Sequence, residues 1–108
     1  MEFVLIHKPV GTIPPEVMKL TLEMVKKLVA KPEEFVPNGK RIASYYAIAE
    51  QAAYCIWDVP NFEALEPFLR QMTLVGWNTE VIPAQKVEVA IANLEKAMQA
   101  MQAQMAGG

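Results

Sequence analysis

The sequence predicts a small single-domain α+β protein whose elements run strand, helix, strand, strand, helix, strand. Three observations predict it. Short runs rich in Val, Ile, Tyr and Trp alternate with longer stretches of helical period. Clusters of Pro, Gly and Asn separate them. The 108 residues leave room for one hydrophobic core and no second domain.

Phe3 to His7 is an apolar run and makes the first strand. Pro9, Gly11, Pro14 and Pro15 punctuate a loop, and Pro14-Pro15 suit the opening of a helix, where proline's missing N–H costs nothing. From Glu16 to Lys31, Val17, Leu20, Met24 and Leu28 form one helical stripe, and Met18, Leu22, Val25 and Val29 form a second beside it. Together they predict a broad buried face. Glu16, Lys19, Glu23, Lys26 and Lys27 hold the other side, with Glu23 and Lys27 at i, i+4 spacing. Lys31-Pro32 begins the helix end.

Pro37-Asn38-Gly39 signals a turn. Arg41 to Ala49 and Ala52 to Val59 then read as two strands of a hairpin around Glu50-Gln51. Asn61 is a good N-cap for a second helix with Phe62, Leu65, Leu69 and Met72 inward, and Pro67 should kink it or delay its start. Trp77 to Ala84 is the fourth strand, with Pro83 marking an edge or a strand end. Lys86 to Met105 is an added C-terminal helix. Its Val87, Ile91, Leu94, Met98, Met101 and Met105 recur at heptad spacing, and Gly107-Gly108 reads as a frayed tail.

This order is ferredoxin-like, and such a sheet carries its helices on one face. The other face cannot be left to water. Phe3/Leu5 and Val4/Ile6 are both apolar pairs, as are the opposing sets on the second and third strands, Tyr45/Ala47 against Tyr46/Ile48 and Cys55/Trp57 against Tyr54/Ile56. The C-terminal helix of the same chain could cover the second face. The favoured expectation is a second copy, closing two sheets into a dimeric α/β barrel with a pocket in each half. The heptad seam is expected to pack on a neighbouring subunit and enlarge the assembly.

A formal net charge of −2 with no basic stripe argues against nucleic acid and against an anionic membrane surface. No apolar stretch approaches the roughly 20 residues of a membrane span. The N-terminal run reads as a strand and not as a signal peptide. A single cysteine, Cys55, excludes an internal disulfide and fits a reducing cytoplasm. One cysteine and one histidine make a zinc site improbable and leave open only a site of the lone histidine with carboxylates; no cofactor is called for.

Few residues could carry chemistry. His7 is in phase with Phe3 and Leu5 at the end of the first strand; it is either a structural histidine or a general acid or base at the mouth of a pocket, since an unperturbed imidazole titrates near neutrality. Tyr45, Tyr46 and Tyr54 interleave with Trp57 across the hairpin. They read either as cross-strand sheet pairs or as an aromatic wall for a flat ligand, with alternation sending one of Tyr45 and Tyr46 into the cavity. Arg41 could anchor a carboxylate bidentately or simply lie on the surface. Asp58 reads as a turn or cap residue, Glu23 and Glu80 as solvated, and Cys55 as an inert core thiol.

The segment Gly39-Lys40-Arg41-Ile42-Ala43-Ser44-Tyr45-Tyr46-Ala47-Ile48-Ala49, followed by Ala52-Ala53-Tyr54-Cys55-Ile56-Trp57-Asp58-Val59-Pro60-Asn61-Phe62-Glu63-Ala64-Leu65, resembles the centre of muconolactone isomerases. There a Gly-started strand leads to a Tyr-x-x-Phe-Asp-Val-x-x-x-Glu-Ala-Leu stretch of similar spacing. The family carries basic and imidazole side chains where this chain has Ala43 and Tyr46, and it lacks the long Met/Ala/Gln helix. The resemblance implies a dimeric α/β barrel and a pocket for a small aromatic-derived acid. On that footing the expected function is proton shuttling on a small carbonyl or lactone compound. No catalytic residue carries over from the family by position; from the residue types and strand phases above, His7 and Tyr46 would be catalytic, and Arg41, Tyr45, Trp57 and Tyr54 would bind substrate. The alternatives are a non-catalytic oligomerising or ligand-binding module, and an oxygenase-like or haem-handling relative using Trp57 and His7.

Overall fold

The computed structural model describes residues 1–107. The chain runs β1 (Glu2–Pro9), α1 (Pro15–Ala30), β2 (Lys40–Ala47), β3 (Ala52–Asp58), α2 (Glu66–Leu74), β4 (Trp77–Ala84) and α3 (Val87–Gly107). Gly108, half of the expected frayed tail, lies outside the described residues, while Gly107 still belongs to α3. The strands form one antiparallel sheet in the order β2-β3-β1-β4. With its helices this is an α+β arrangement compatible with a ferredoxin-like fold.

Local chemistry explains the boundaries. Pro14 and Pro15 open α1. Gly39 precedes β2 because a Cβ there would meet Val36 Cγ1 at 2.5 Å and Val59 Cγ1 at 2.8 Å. Asn61 caps as expected, its Oδ1 accepting from the Ala64 N–H at 3.0 Å, but the turn it caps is a 3-10 turn, Phe62–Leu65. Pro67 then lies in the first turn of α2, which starts only at Glu66. Proline therefore delays the helix and does not kink it.

β1 alternates strictly, sending Phe3, Leu5 and His7 toward the helices. Cys55 and Trp57 from β3 join them, and α2 closes this core with Phe68 and Met72. Phe68 is its hub. Its ring lies 5.8 Å from Trp57, 6.0 Å from Phe35 and 5.5 Å from His7.

Helix α1 departs from expectation. Its broad apolar face is not buried: only Thr21 and Leu28 are, while Leu20, Leu22 and Val29 are more than half exposed. No Cα of α1 comes within 8 Å of a strand, so the helix stands off the sheet over an open space. The expected Glu23–Lys27 pair is replaced by Glu23–Lys26 and Lys27–Glu34, each at 4.0 Å and exposed.

Helix α3 departs further. None of its Cα atoms lies within 8 Å of another element, and all its seam residues are at least half exposed. It extends the molecule to 66 × 29 × 19 Å and raises the radius of gyration to 18.3 Å, against about 13 Å for a compact chain of this length. It therefore does not cover its own sheet. The second face, with Val4, Ile6, Tyr54, Ile56 and Ile82, has no helix over it. Among the described residues no helix is long and apolar enough to cross a membrane.

Candidate ligand cavity

The space under α1 is a cavity of about 490 Å³, within the range that small-molecule sites occupy. α1 roofs it with Met18, Leu22, Val25 and Leu28; Phe68 and Met72 of α2 and Trp77 of β4 form one wall. Its lining is overwhelmingly carbon. Polar atoms come from a few strand positions, and the pairing of the sheet decides which.

His7 is foremost among them. The register sets it between Ala53 of β3 and Thr79 of β4, on the helix side of a central strand. It is 1% exposed. Its Nδ1 lies 2.7 Å from Thr79 Oγ1, and the ring edge packs against Phe68 at 70°. Its Nε2 is buried with no partner. A buried imidazole resists charging, and desolvation lowers its pKa from 6.5 to about 4. His7 is thus neutral at physiological pH and sits inside the cavity, not at its mouth. It does not titrate near pH 7 as its residue type suggested.

The other polar groups are mostly committed. Thr21 Oγ1 donates to the Val17 carbonyl at 3.0 Å. Ser44 Oγ accepts from Arg41 Nη1 at 3.2 Å and donates to Cys55 Sγ at 3.5 Å. Burial pushes the Cys55 thiol up, a trend that the Ser44 hydrogen bond and the Arg41 charge oppose. Trp77 Nε1 is the second buried, partnerless nitrogen on a residue lining the cavity. Among the described residues no carboxylate lines it, and no three His, Cys, Asp or Glu side chains gather as a metal would need.

The structure brings three of the sequence-selected residues to this cavity. His7 lies inside, and both Tyr45 and Tyr46 border it, 74% and 55% exposed. As alternation requires, the register sets Tyr46, opposite Ala53, on the His7 side of the sheet and Tyr45, opposite Tyr54, on the other, and from the edge strand β2 both still border the cavity. The remaining three lie elsewhere. Trp57 is fully buried in the core against Phe68 and does not line the cavity. Tyr54 belongs to the other face, where its hydroxyl donates to Glu50 Oε2 at 2.6 Å, a bond that raises its pKa. Arg41 turns to Ser44 and leaves its Nε buried and unpartnered beyond the cavity wall. Sequence reading missed Thr79, Trp77 and Phe68. Only the β1–β4 register identifies Thr79 as the partner of His7.

Comparison with protein-family models, with curated proteins and with solved structures gives no match, so the geometry of the cavity carries the functional reading.

Proposed function

We propose that the chain binds a small, mostly apolar molecule carrying one hydrogen-bonding oxygen, held in the cavity under α1 by His7. The observation that carries this is the buried, unpartnered His7 Nε2 in an otherwise carbon-lined space. An orphaned nitrogen in such surroundings costs on the order of 1–3 kcal/mol, and a ligand oxygen would recover that cost. A flat ring system suits the aromatic and aliphatic walls, with Tyr45 and Tyr46 at the entrance.

Proton transfer on that ligand, the activity implied by the muconolactone-isomerase resemblance, extends the same proposal. When Nδ1–H donates to Thr79 Oγ1, the free Nε2 lone pair takes the acidic proton of an unsaturated lactone or enone, and the imidazolium, whose folded pKa is about 4, returns that proton to another carbon of the ligand, so that only the double bond moves. The same reading pairs two copies through their bare sheet faces as a dimeric barrel, in the reducing cytoplasm that a free buried cysteine suits.

Naphthalene, 2-naphthol and 2-acetylnaphthalene test it by calorimetry. An oxygenated probe should bind about tenfold or more tightly than naphthalene, one hydrogen bond's worth. His7→Leu should erase that preference while keeping naphthalene binding. Equal affinity for all three in the unaltered protein would make His7 a structural residue.

A further inference from the structure

Two exposed apolar stripes on this molecule have the same spacing. On α1, Met18, Leu22, Val25 and Val29 recur at four, three and four residues and are 38–55% exposed. On α3 the seam from Val87 to Met105 recurs in the same way, and no Cα of that helix lies within 8 Å of another element of its chain. Such a repeat is what two helices need to wind about each other. We infer that α3 of one copy docks antiparallel along α1 of a second copy and closes the mouth of its cavity.

Charge selects this pairing and its direction. Beside the α1 stripe, on the side away from the core, stand Lys19 and Lys26; beside the α3 seam, at equivalent positions, stand Glu88 and Glu95. Both pairs are seven residues apart. Antiparallel helices bring these flanks together, Lys19 to Glu95 and Lys26 to Glu88, which sets Met18 opposite Met98 and Val29 opposite Val87. The opposite flank of α1 is Thr21 and Leu28, already buried in its own domain, and α3 meets it with the small Ala90 and Ala97. Two copies of α3 paired with each other would gain no such complementarity. Among the described residues Glu88 and Glu95 form no ion pair, and Lys26 has only Glu23 at 4.0 Å in solvent.

The exposed area is ample for a second copy. The chain exposes 7700 Å², whereas a compact monomer of 12.1 kDa exposes about 6,000 Å². The excess exceeds the roughly 800 Å² that each partner contributes to a standard interface. α3 springs from β4, at the sheet edge opposite β2, and α2 packs on β4. Met18, Leu22 and Val25 belong both to the stripe and to the cavity lining, so a seated partner helix completes the site. That last consequence rests on the cavity reading; the pairing goes beyond it and stands without it.

Sedimentation of the full-length chain at low ionic strength tests the pairing. Lys19→Glu with Lys26→Glu should weaken self-association about tenfold, and so should Glu88→Lys with Glu95→Lys, because each turns two attractions into repulsions. All four changes together should restore it. In a separate variant, Met18→Cys with Met98→Cys should cross-link between copies on oxidation, while Val29→Cys with Met98→Cys should not. A monomeric unaltered protein, failure of the fourfold variant to recover, or equal cross-linking in both registers overturns the proposal.

Discussion

At the scale of single residues, His7 is a histidine from which the fold has removed the charge. Between its ordinary value of 6.5 and its folded value of about 4, the unfolded chain binds a proton that the folded chain does not. Stability therefore rises with pH across that window. The neutral imidazole's contribution is complete above about pH 6.5, falls as pH drops toward 4, and is gone below it, a swing of about 3 kcal/mol. Urea midpoints at pH 7.5 and 4.5 measure it, with His7→Phe as the reference that subtracts the carboxylates. Equal acid losses in the two proteins would show that the imidazole charges freely in the fold. The side on which His7 lies was legible in the sequence, because Phe3, Leu5 and His7 share one phase of a strand. Its depth was not, because strand phase does not reveal how far a helix stands from the sheet. Trp57 and Arg41 failed as site residues for the same reason. Both are on the helix side of the sheet, yet Trp57 is taken up by Phe68 and Arg41 by Ser44.

At the scale of elements, the turn that leads into α2 depends on one side chain. The Asn61 amide oxygen holds the Ala64 N–H, and Pro67 forbids the helix an earlier start. Asn61→Ala should therefore cost about 1 kcal/mol, read from the urea midpoint, and Asn61→Asp should recover most of it. An unchanged midpoint for the alanine variant would mean that Leu65 and Phe68 dock α2 without help from the cap. Strand and helix order followed directly from periodicity and proline placement, and β4 begins and ends where its pattern says. Periodicity was weaker for α1 and α3. An apolar stripe states that a helix face wants a partner, but it does not state which partner. Both stripes of α1 were expected in the core, and one of them faces outward. The heptad seam of α3 was expected to find a neighbour, and it is free of its own domain.

The whole molecule leaves two unlike apolar surfaces open, the helix pair α1 and α3 and the second face of the sheet. The sheet face is carried by the two central strands, where Val4 opposes Ile56 and Ile6 opposes Tyr54, with Ile82 of β4 beside Val4. Glu80 stands beside Ile6, and Glu2 and Asp58 pair at one end of the face, so the apolar side chains form a central patch within a charged border. If each surface pairs with its like or its complement across a twofold axis, and the two axes cross at right angles, the subunits close into a tetramer. The expected assembly is therefore four chains, in which sheet pairs are joined through swapped α3 helices. Ile56→Lys places a charge at the centre of the sheet face and leaves the α1–α3 contact untouched. It should reduce the mass measured by light scattering from four chains to two, with little change in the far-ultraviolet signal. The double reversal at Lys19 and Lys26 should also give two chains, through the other contact, and the two sets combined should give one. A mass unaffected by Ile56→Lys would sink the sheet-face contact, and with it the barrel. A fall straight to one chain would mean that both surfaces belong to a single pair, with each α3 wrapping the same neighbour whose sheet it faces.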